Sequence, residues 1–98
     1  MYSMFRNSRV ETLDLSSFDT SNVTDMGRMF YNNPNLKTIY ASDKFNTNAV
    51  TSSSDMFYNT TNLVGGSGTT YNSSYIDKTY ARIDGGTSLP GYFTLKNN

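Results

Sequence analysis

A short motif that occurs three times along the chain limits what this protein can fold into. Met4-Phe5 returns as Met29-Phe30 and again as Met56-Phe57, at spacings of 25 and 27 residues. An asparagine follows each pair at the same offset, as Asn7, Asn32 and Asn59. Self-similarity with a period of about 20 to 50 residues is typical of repeat proteins, in which each unit buries its apolar side chains against its neighbours. The motif therefore predicts stacked repeat units.

Each unit combines an alternating segment with a segment of helical spacing. Residues 11–15 and 37–41 alternate polar and apolar side chains, which predicts short strands. Apolar side chains then recur at i, i+3, i+6 and i+7 in the first unit, as Val23, Met26, Met29 and Phe30. This spacing is typical of one face of a short helix, and Pro34 would turn the chain into the next strand.

These patterns predict an α/β solenoid, a leucine-rich-repeat-like stack of short parallel strands and short helices with a C-terminal capping segment. The repeat units are expected at residues 1–64: a fragment at 1–10 and strand–helix units at about 11–36 and 37–63. Residues 65–98 are aromatic-rich and lack the repeat, which predicts the cap. Since residues 1–5 align with residues 26–30, we expect the chain to be a C-terminal piece of a longer array.

Composition excludes several kinds of chemistry. The chain has no cysteine and no histidine, so it has no disulfide, no zinc site of the usual ligands and no imidazole base. Its net charge is zero, which argues against a nucleic-acid surface. Asp14, Asp19 and Asp25 lie five and six residues apart, unlike the ligands of a calcium loop. We expect no enzymatic activity, no cofactor, no metal and no membrane insertion in this segment.

One stretch resembles a known family. Residues 13–26 read Leu-Asp-Leu-Ser-Ser-Phe-Asp-Thr-Ser-Asn-Val-Thr-Asp-Met and are followed by Met29-Phe30. This pattern resembles the 26-residue repeat of BspA-like bacterial surface proteins, and the tail resembles the segment that closes such arrays. The resemblance implies an extracellular location on a bacterial cell surface, with the signal and the anchor outside this chain. It also implies attachment to host matrix proteins, epithelial cells or other bacteria, and it supplies no catalytic residues.

The sequence departs from the family at the positions that often hold cysteine shortly after the Met-Phe pair. Ser8, Asn33 and Thr60 occupy these places. The second unit also reads Ile39-Tyr40-Ala41 where the first has Leu-Asp-Leu, which changes the outward side chain from Asp14 to Tyr40.

Two groups of side chains are the candidate partner-binding residues. The first projects from the outer face of the expected sheet and comprises Thr12, Asp14, Thr38 and Tyr40. The second comprises Tyr31 and Tyr58, expected to be exposed at helix ends just after the Met-Phe pairs. Exposed tyrosines are favoured in protein contacts and in stacking on sugar rings.

These residues leave three functions open. The first is a non-enzymatic surface module for adhesion or protein–protein interaction. The second is a carbohydrate- or cell-wall-binding module that uses the exposed tyrosines, and the third is a passive spacer within a larger surface protein. A glycan array separates the first two, because a protein adhesin is silent on it.

Overall fold

Three short parallel strands form the sheet of this protein. The computed structural model describes residues 3–96. Its strands are β1 (Thr12–Leu15), β2 (Thr38–Ala41) and β3 (Phe93–Leu95). The sheet order is β1-β2-β3, and both neighbouring pairs are parallel. The one regular helix in this range is a three-residue 3₁₀ helix, Lys78–Tyr80.

The two strands predicted from alternation form at residues 12–15 and 38–41. Leu15, Ile39 and Ala41 point into the core, where each is at most 2% exposed. The register pairs Leu13 with Ile39 and Ile39 with Phe93, so apolar side chains of all three strands share one face. A slip of one residue would turn this face to solvent, and burial therefore fixes the register.

The expected α/β solenoid, a leucine-rich-repeat-like stack with short helices, is wrong. Residues 22–33 form turns and no α-helix, and the same is true of the corresponding residues near the third motif. Among residues 3–96 the protein is nearly helix-free and is built from turns around the parallel sheet. Met26, Met29 and Phe30 are nevertheless fully buried. The helical spacing thus identified core residues but assigned them the wrong backbone conformation.

Three turn segments run side by side where helices were expected. They comprise residues 3–8, 26–33 and 53–60. The Arg28 N–H donates to the Ser54 carbonyl at 3.0 Å, and the Phe30 N–H donates to the Met56 carbonyl at 2.8 Å. In the same way, the Phe5 N–H donates to a carbonyl of the second segment at 2.9 Å. Backbone groups that an α-helix would pair internally are therefore satisfied by the neighbouring segment.

The local sequence explains why the helices are lost. An isolated helix of two or three turns is marginal in water even with good helix formers. Gly27 lies in the middle of the first expected helix and costs about 1 kcal/mol relative to alanine there. Residues 51–54 read Thr-Ser-Ser-Ser, and such side chains compete with helical hydrogen bonds. Bonding between segments instead gives these backbone N–H groups partners.

Left-handed backbone conformations interrupt each turn segment twice. Six residues other than glycine have φ between 53° and 62°: Ser3, Asn7, Arg28, Asn32, Asp55 and Asn59. They occupy equivalent places in the three segments, and an α-helix cannot pass through such residues. Asparagine tolerates this conformation better than most residues, which gives a physical reason for the asparagine that follows each Met-Phe pair.

The phenylalanines of the three motifs form a stacked column in the core. The ring centroids of Phe5 and Phe30 lie 5.7 Å apart, and those of Phe30 and Phe57 lie 5.2 Å apart, with interplanar angles of 8° and 12°. Phe93 of β3 meets Phe30 and Phe57 edge-on, at 6.2 and 6.1 Å. Phe30 and Phe57 are fully buried. Aromatic packing thus links the turn segments to one another and to the sheet.

Buried polar side chains hydrogen-bond to the backbone just after two of the Met-Phe pairs. Asn33 and Thr60 are both fully buried, at positions where the resembled family often has cysteine. The Asn33 amide donates to the Phe30 carbonyl at 2.8 Å, and the Thr60 hydroxyl donates to the Phe57 carbonyl at 2.5 Å. Each side chain therefore satisfies a buried carbonyl three residues earlier, as burial of backbone polar groups requires.

Residues of the expected cap cover the far side of the phenylalanine column. Tyr92 is fully buried and meets Phe57 edge-on at 4.9 Å. Its hydroxyl donates to the Tyr75 carbonyl at 2.9 Å and accepts the Asn72 N–H at 3.1 Å. Burial raises the pKa of the Tyr92 hydroxyl to about 12, so the ring is held in its neutral form.

A buried carboxylate organises the loops of the same region. Asp84 is 7% exposed and accepts hydrogen bonds from the Ser67 N–H at 2.9 Å, the Gly86 N–H at 2.9 Å, and both the N–H and the hydroxyl of Thr69 at 3.0 and 2.7 Å. Burial raises the pKa of this carboxyl, but the hydrogen bonds outweigh burial and lower it to about 2. A Cβ atom at Gly65 would lie 2.6 Å from the carboxylate, so glycine is required there.

The predicted domain boundary between residues 64 and 65 stays a prediction. Residues 93–95 of the expected cap supply the third strand of the sheet. In the same region Ile83 makes only an isolated parallel bridge to Phe93. The expected alignment of Met1 and Tyr2 with the second motif lies outside the described residues.

Replacing the central ring of the column tests its contribution to stability. We expect Phe30→Ala to lower the free energy of unfolding by about 3 to 5 kcal/mol, because it removes a fully buried ring and leaves a cavity. Urea unfolding monitored by circular dichroism measures the change. Leu89→Ala, at a residue 51% exposed, is the control and should cost less than about 0.5 kcal/mol. Equal losses in the two variants would contradict the role of the column.

The buried carboxylate predicts a pH dependence of stability. Because the folded pKa of Asp84 lies below its ordinary value of 3.8, its contribution is complete above about pH 4 and is lost as the pH falls towards 2. Asp84→Asn should lower the free energy of unfolding by about 3 kcal/mol at pH 6 and make the loss between pH 4 and 2 shallower than in the wild type. Urea unfolding across this pH range is the measurement.

Asp43→Asn is the matched control because Asp43 is exposed. It should change the free energy of unfolding at pH 6 by less than about 0.5 kcal/mol. If the free energy of unfolding of Asp84→Asn falls between pH 4 and 2 as steeply as that of the wild type, this carboxylate does not stabilise the loops.

Candidate functional site

The four residues predicted on the outer face of the sheet lie together. The register of β1 and β2 places Thr12 opposite Thr38 and Asp14 opposite Tyr40. Alternation turns all four away from the apolar face of the sheet. Thr12 and Asp14 are exposed, whereas Thr38 and Tyr40 are half-buried. The sequence therefore identified a contiguous group on one face.

Lys96 closes over this face and was not predicted. Its backbone N–H donates to the Ala41 carbonyl at 3.0 Å, which extends β3 along β2. Its ammonium group contacts the Asp14 carboxylate and lies 5.9 Å from the centroid of the Tyr40 ring. Lys96 is 82 residues from Asp14 in sequence. Lys96 reaches Asp14 because β3 lies next to β2 in the sheet, so the contact could not be predicted from local sequence.

The electrostatics of Asp14 reflect this contact. The hydrogen bond from Lys96 holds the pKa of the Asp14 carboxyl well below its usual range, and the Ser16 N–H, which donates to Asp14 at 3.0 Å, acts in the same direction. Asp14 is thus ionised at neutral pH and already paired within the chain. Each of its two oxygens accepts one hydrogen bond from within the chain.

Tyr31 and Tyr58, the second predicted group, stack on each other. Their ring centroids lie 5.1 Å apart at an interplanar angle of 18°. They lie in turns and not at helix ends, and Tyr58 is 47% exposed whereas Tyr31 is half-buried. Tyr31 lies between the left-handed residues Arg28 and Asn32.

Two arginines flank the tyrosine pair and were not predicted. The Arg6 guanidinium lies 5.1 Å from the centroid of the Tyr31 ring, and the Arg28 guanidinium lies 5.3 Å from it. Both distances allow cation–π attraction. Arg6 holds in the first motif the place that the tyrosines hold in the others, so sequence alignment of the motifs contained this signal. We call Arg6, Arg28, Tyr31 and Tyr58 the arginine–tyrosine column.

An amide ladder lies beside the column. The Asn32 amide donates to the Asn7 side chain at 2.9 Å, and the Asn59 amide donates to the Asn32 side chain at 2.7 Å. A groove of about 460 Å³ borders this ladder and is lined by Asn7, Ser8, Arg9, Asn32, Pro34 and Asn35. Hydrogen-bonding groups therefore lie next to the aromatic and cationic groups.

Two further kinds of site, for a metal ion and for a membrane, concern the same residues. Residues 3–96 contain no group of three or more carboxylates placed to hold a metal ion. No helix in the same range is long and apolar enough to cross a bilayer.

A family model described as "Mycoplasma protein of unknown function, DUF285" matches residues 1–89 of the chain. Neither a search of curated proteins nor a search of solved structures finds a match. The match includes all three copies of the Met-Phe motif. It confirms the expected bacterial relationship in this coarse form, while the BspA-like relationship stays a prediction.

Removing the lysine that covers the sheet face tests the assignment of the ion pair. In Lys96→Gln, we expect the pKa of the Asp14 carboxyl to rise towards its ordinary value of 3.8, because the largest cause of its depression is gone. Carbon-detected NMR titration of the aspartate carboxyls measures this pKa.

Asp77 provides an internal control in the same titration. Its pKa is lowered by the hydrogen bond from Thr79, which Lys96 does not touch. The pKa of Asp77 should therefore be the same in both proteins. An unchanged pKa of Asp14 in Lys96→Gln would contradict the pairing.

Proposed function

Since the chain belongs to the family described as "Mycoplasma protein of unknown function, DUF285", we propose that it is a non-enzymatic interaction module of a bacterial cell-surface protein. Its task is adhesion or protein–protein interaction with a host matrix, epithelial or bacterial partner. The resemblance of residues 13–30 to BspA-like surface repeats supports the extracellular location and this class of function.

The observation that carries the proposal is the arginine–tyrosine column. Tyr58 leaves 47% of its surface exposed, whereas Phe30, Phe57 and Tyr92 are fully buried. Tyrosine and arginine are the residues most enriched where protein interfaces gain their binding energy. An exposed tyrosine that stacks on a ring flanked by two arginines therefore suits contact with a partner.

The column is favoured over the sheet face as the contact. On that face Lys96 already engages Asp14 and lies near the Tyr40 ring, so a partner would have to displace an internal ion pair. No such displacement is needed at Tyr58. The residues Thr12, Asp14, Thr38 and Tyr40 therefore become the secondary contact in the proposal.

Carbohydrate binding is a second candidate because of the groove beside the amide ladder. Asn7, Asn32 and Asn35 line this groove together with Arg9. Amide groups both donate and accept hydrogen bonds and so suit sugar hydroxyls. A glycan array distinguishes the two candidates, since binding to neutral sugars would favour the groove.

Truncating the exposed ring tests the proposed contact. We expect Tyr58→Ser to weaken binding of the protein to epithelial cells, extracellular matrix or bacterial cells by about tenfold, because it removes the aromatic anchor. Binding of the fluorescently labelled protein to each surface measures the change, and circular dichroism verifies the fold.

Tyr75→Ser is the matched control. Tyr75 is 39% exposed and stacks on Tyr80, away from the arginines of the column. It should bind as the wild type does. Equal binding of wild type and Tyr58→Ser would contradict the contact, and a wild type that binds none of the surfaces would indicate a passive spacer.

A further inference from the structure

The arginines of the column lack an internal acidic partner. Within residues 3–96 the one ion pair joins Lys96 to Asp14. Arg6 and Arg28 instead lie against the Tyr31 ring, and Arg9 is exposed in the adjoining groove. A guanidinium group on a tyrosine ring keeps its N–H donors available, since cation–π contact uses the face of the ring and not those donors.

Both faces of the Tyr31 ring are occupied. Tyr58 stacks on one face at 5.1 Å. Residues 3–8 lie on the other side of residues 26–33 from residues 53–60, as the backbone hydrogen bonds on the two sides require, and they bring Arg6 to the opposite face. A sugar that stacks on an aromatic residue needs an open ring face. The Tyr31 ring therefore has no open face on which a sugar could stack.

We propose that the arginine–tyrosine column binds an acidic segment of a protein partner. This inference rests on the proposed function and names the chemistry of its partner. Carboxylates pair with guanidinium groups through two parallel hydrogen bonds, and Arg6 and Arg28 both lie within 5.3 Å of the centre of the Tyr31 ring. The exposed Tyr58 ring packs against the aliphatic part of the bound segment, and Arg9 extends the cationic surface.

Charge complementarity at this site is local. The chain as a whole carries eight basic and eight acidic side chains. Attraction of an acidic segment therefore arises from the arginines of the turn segments and not from the net charge of the protein. Since exposed charges are screened over about 8 Å in physiological salt, binding should weaken as salt is raised.

The experiment measures binding of the protein to immobilised poly-L-glutamate by biolayer interferometry. We expect saturable binding by the wild type at low salt and about tenfold weaker binding by Arg6→Gln/Arg28→Gln, the loss typical of removing interface arginines. The matched control is Lys37→Gln/Lys44→Gln, which removes the same charge from two other exposed positions. Its affinity should stay within about twofold of the wild type, because it leaves the column intact.

Three results would overturn the inference. They are no binding of the wild type to poly-L-glutamate, equal weakening by the two double variants, and binding to heparin in the absence of binding to poly-L-glutamate. The second would show that attraction follows net charge, and the third would assign the column to an acidic glycan. Thermal unfolding of both double variants shows that each is folded before affinities are compared.

Cell binding separates this inference from the proposed function. If Tyr58→Ser abolishes binding to cells and Arg6→Gln/Arg28→Gln does not, the proposed contact at Tyr58 is supported. The proposal that the partner segment is acidic is then refuted. If neither variant changes cell binding, the proposed contact itself is refuted. Loss of cell binding in both variants, together with poly-L-glutamate binding by the wild type, supports both proposals.

Discussion

Hydrogen bonds between neighbouring turn segments are the constraint on which the rest of this structure depends. They run at 2.8 to 3.0 Å from Phe5, Arg28 and Phe30 to the carbonyls of the following segment. Because they bring equivalent residues of the three motifs side by side, they also place the phenylalanines in one column, the asparagines in one ladder and the tyrosines in one pair. The core and the proposed binding surface are thus two sides of the same backbone arrangement.

The sequence predicted the strands and the core but not the conformation of the turn segments. Alternation at residues 11–15 and 37–41 is a direct sign of a half-buried strand, and parallel pairing followed from the repeat. The helical spacing of Met26, Met29 and Phe30 correctly predicted that these side chains are buried. It could not reveal that their backbone N–H groups bond to the next segment, because a periodic pattern shows which side chains are buried and not where the backbone donors go.

The candidate site was predicted only in part, because some of its contacts depend on long-range pairing that the sequence pattern does not show. Tyr31, Tyr58 and the four sheet-face residues were identified from their positions in the repeat, and the structure places them in two groups. Lys96 was missed because its contact with Asp14 depends on β3 joining the sheet beside β2, a long-range pairing with no local signal. Arg6 was not predicted as a site residue although it aligns with both tyrosines, because its contact with the Tyr31 ring depends on the side-by-side packing of the turn segments.

The hydrogen bonding of turn segments to one another, in place of helix formation, can be measured directly. NMR couplings across hydrogen bonds identify the acceptor of each amide. We expect a coupling between the Phe30 amide nitrogen and the Met56 carbonyl carbon, because the Phe30 N–H donates to the Met56 carbonyl oxygen at 2.8 Å. A coupling from the Phe30 amide to the Met26 carbonyl, four residues earlier in the same segment, would instead show an α-helix and would contradict pairing between the turn segments.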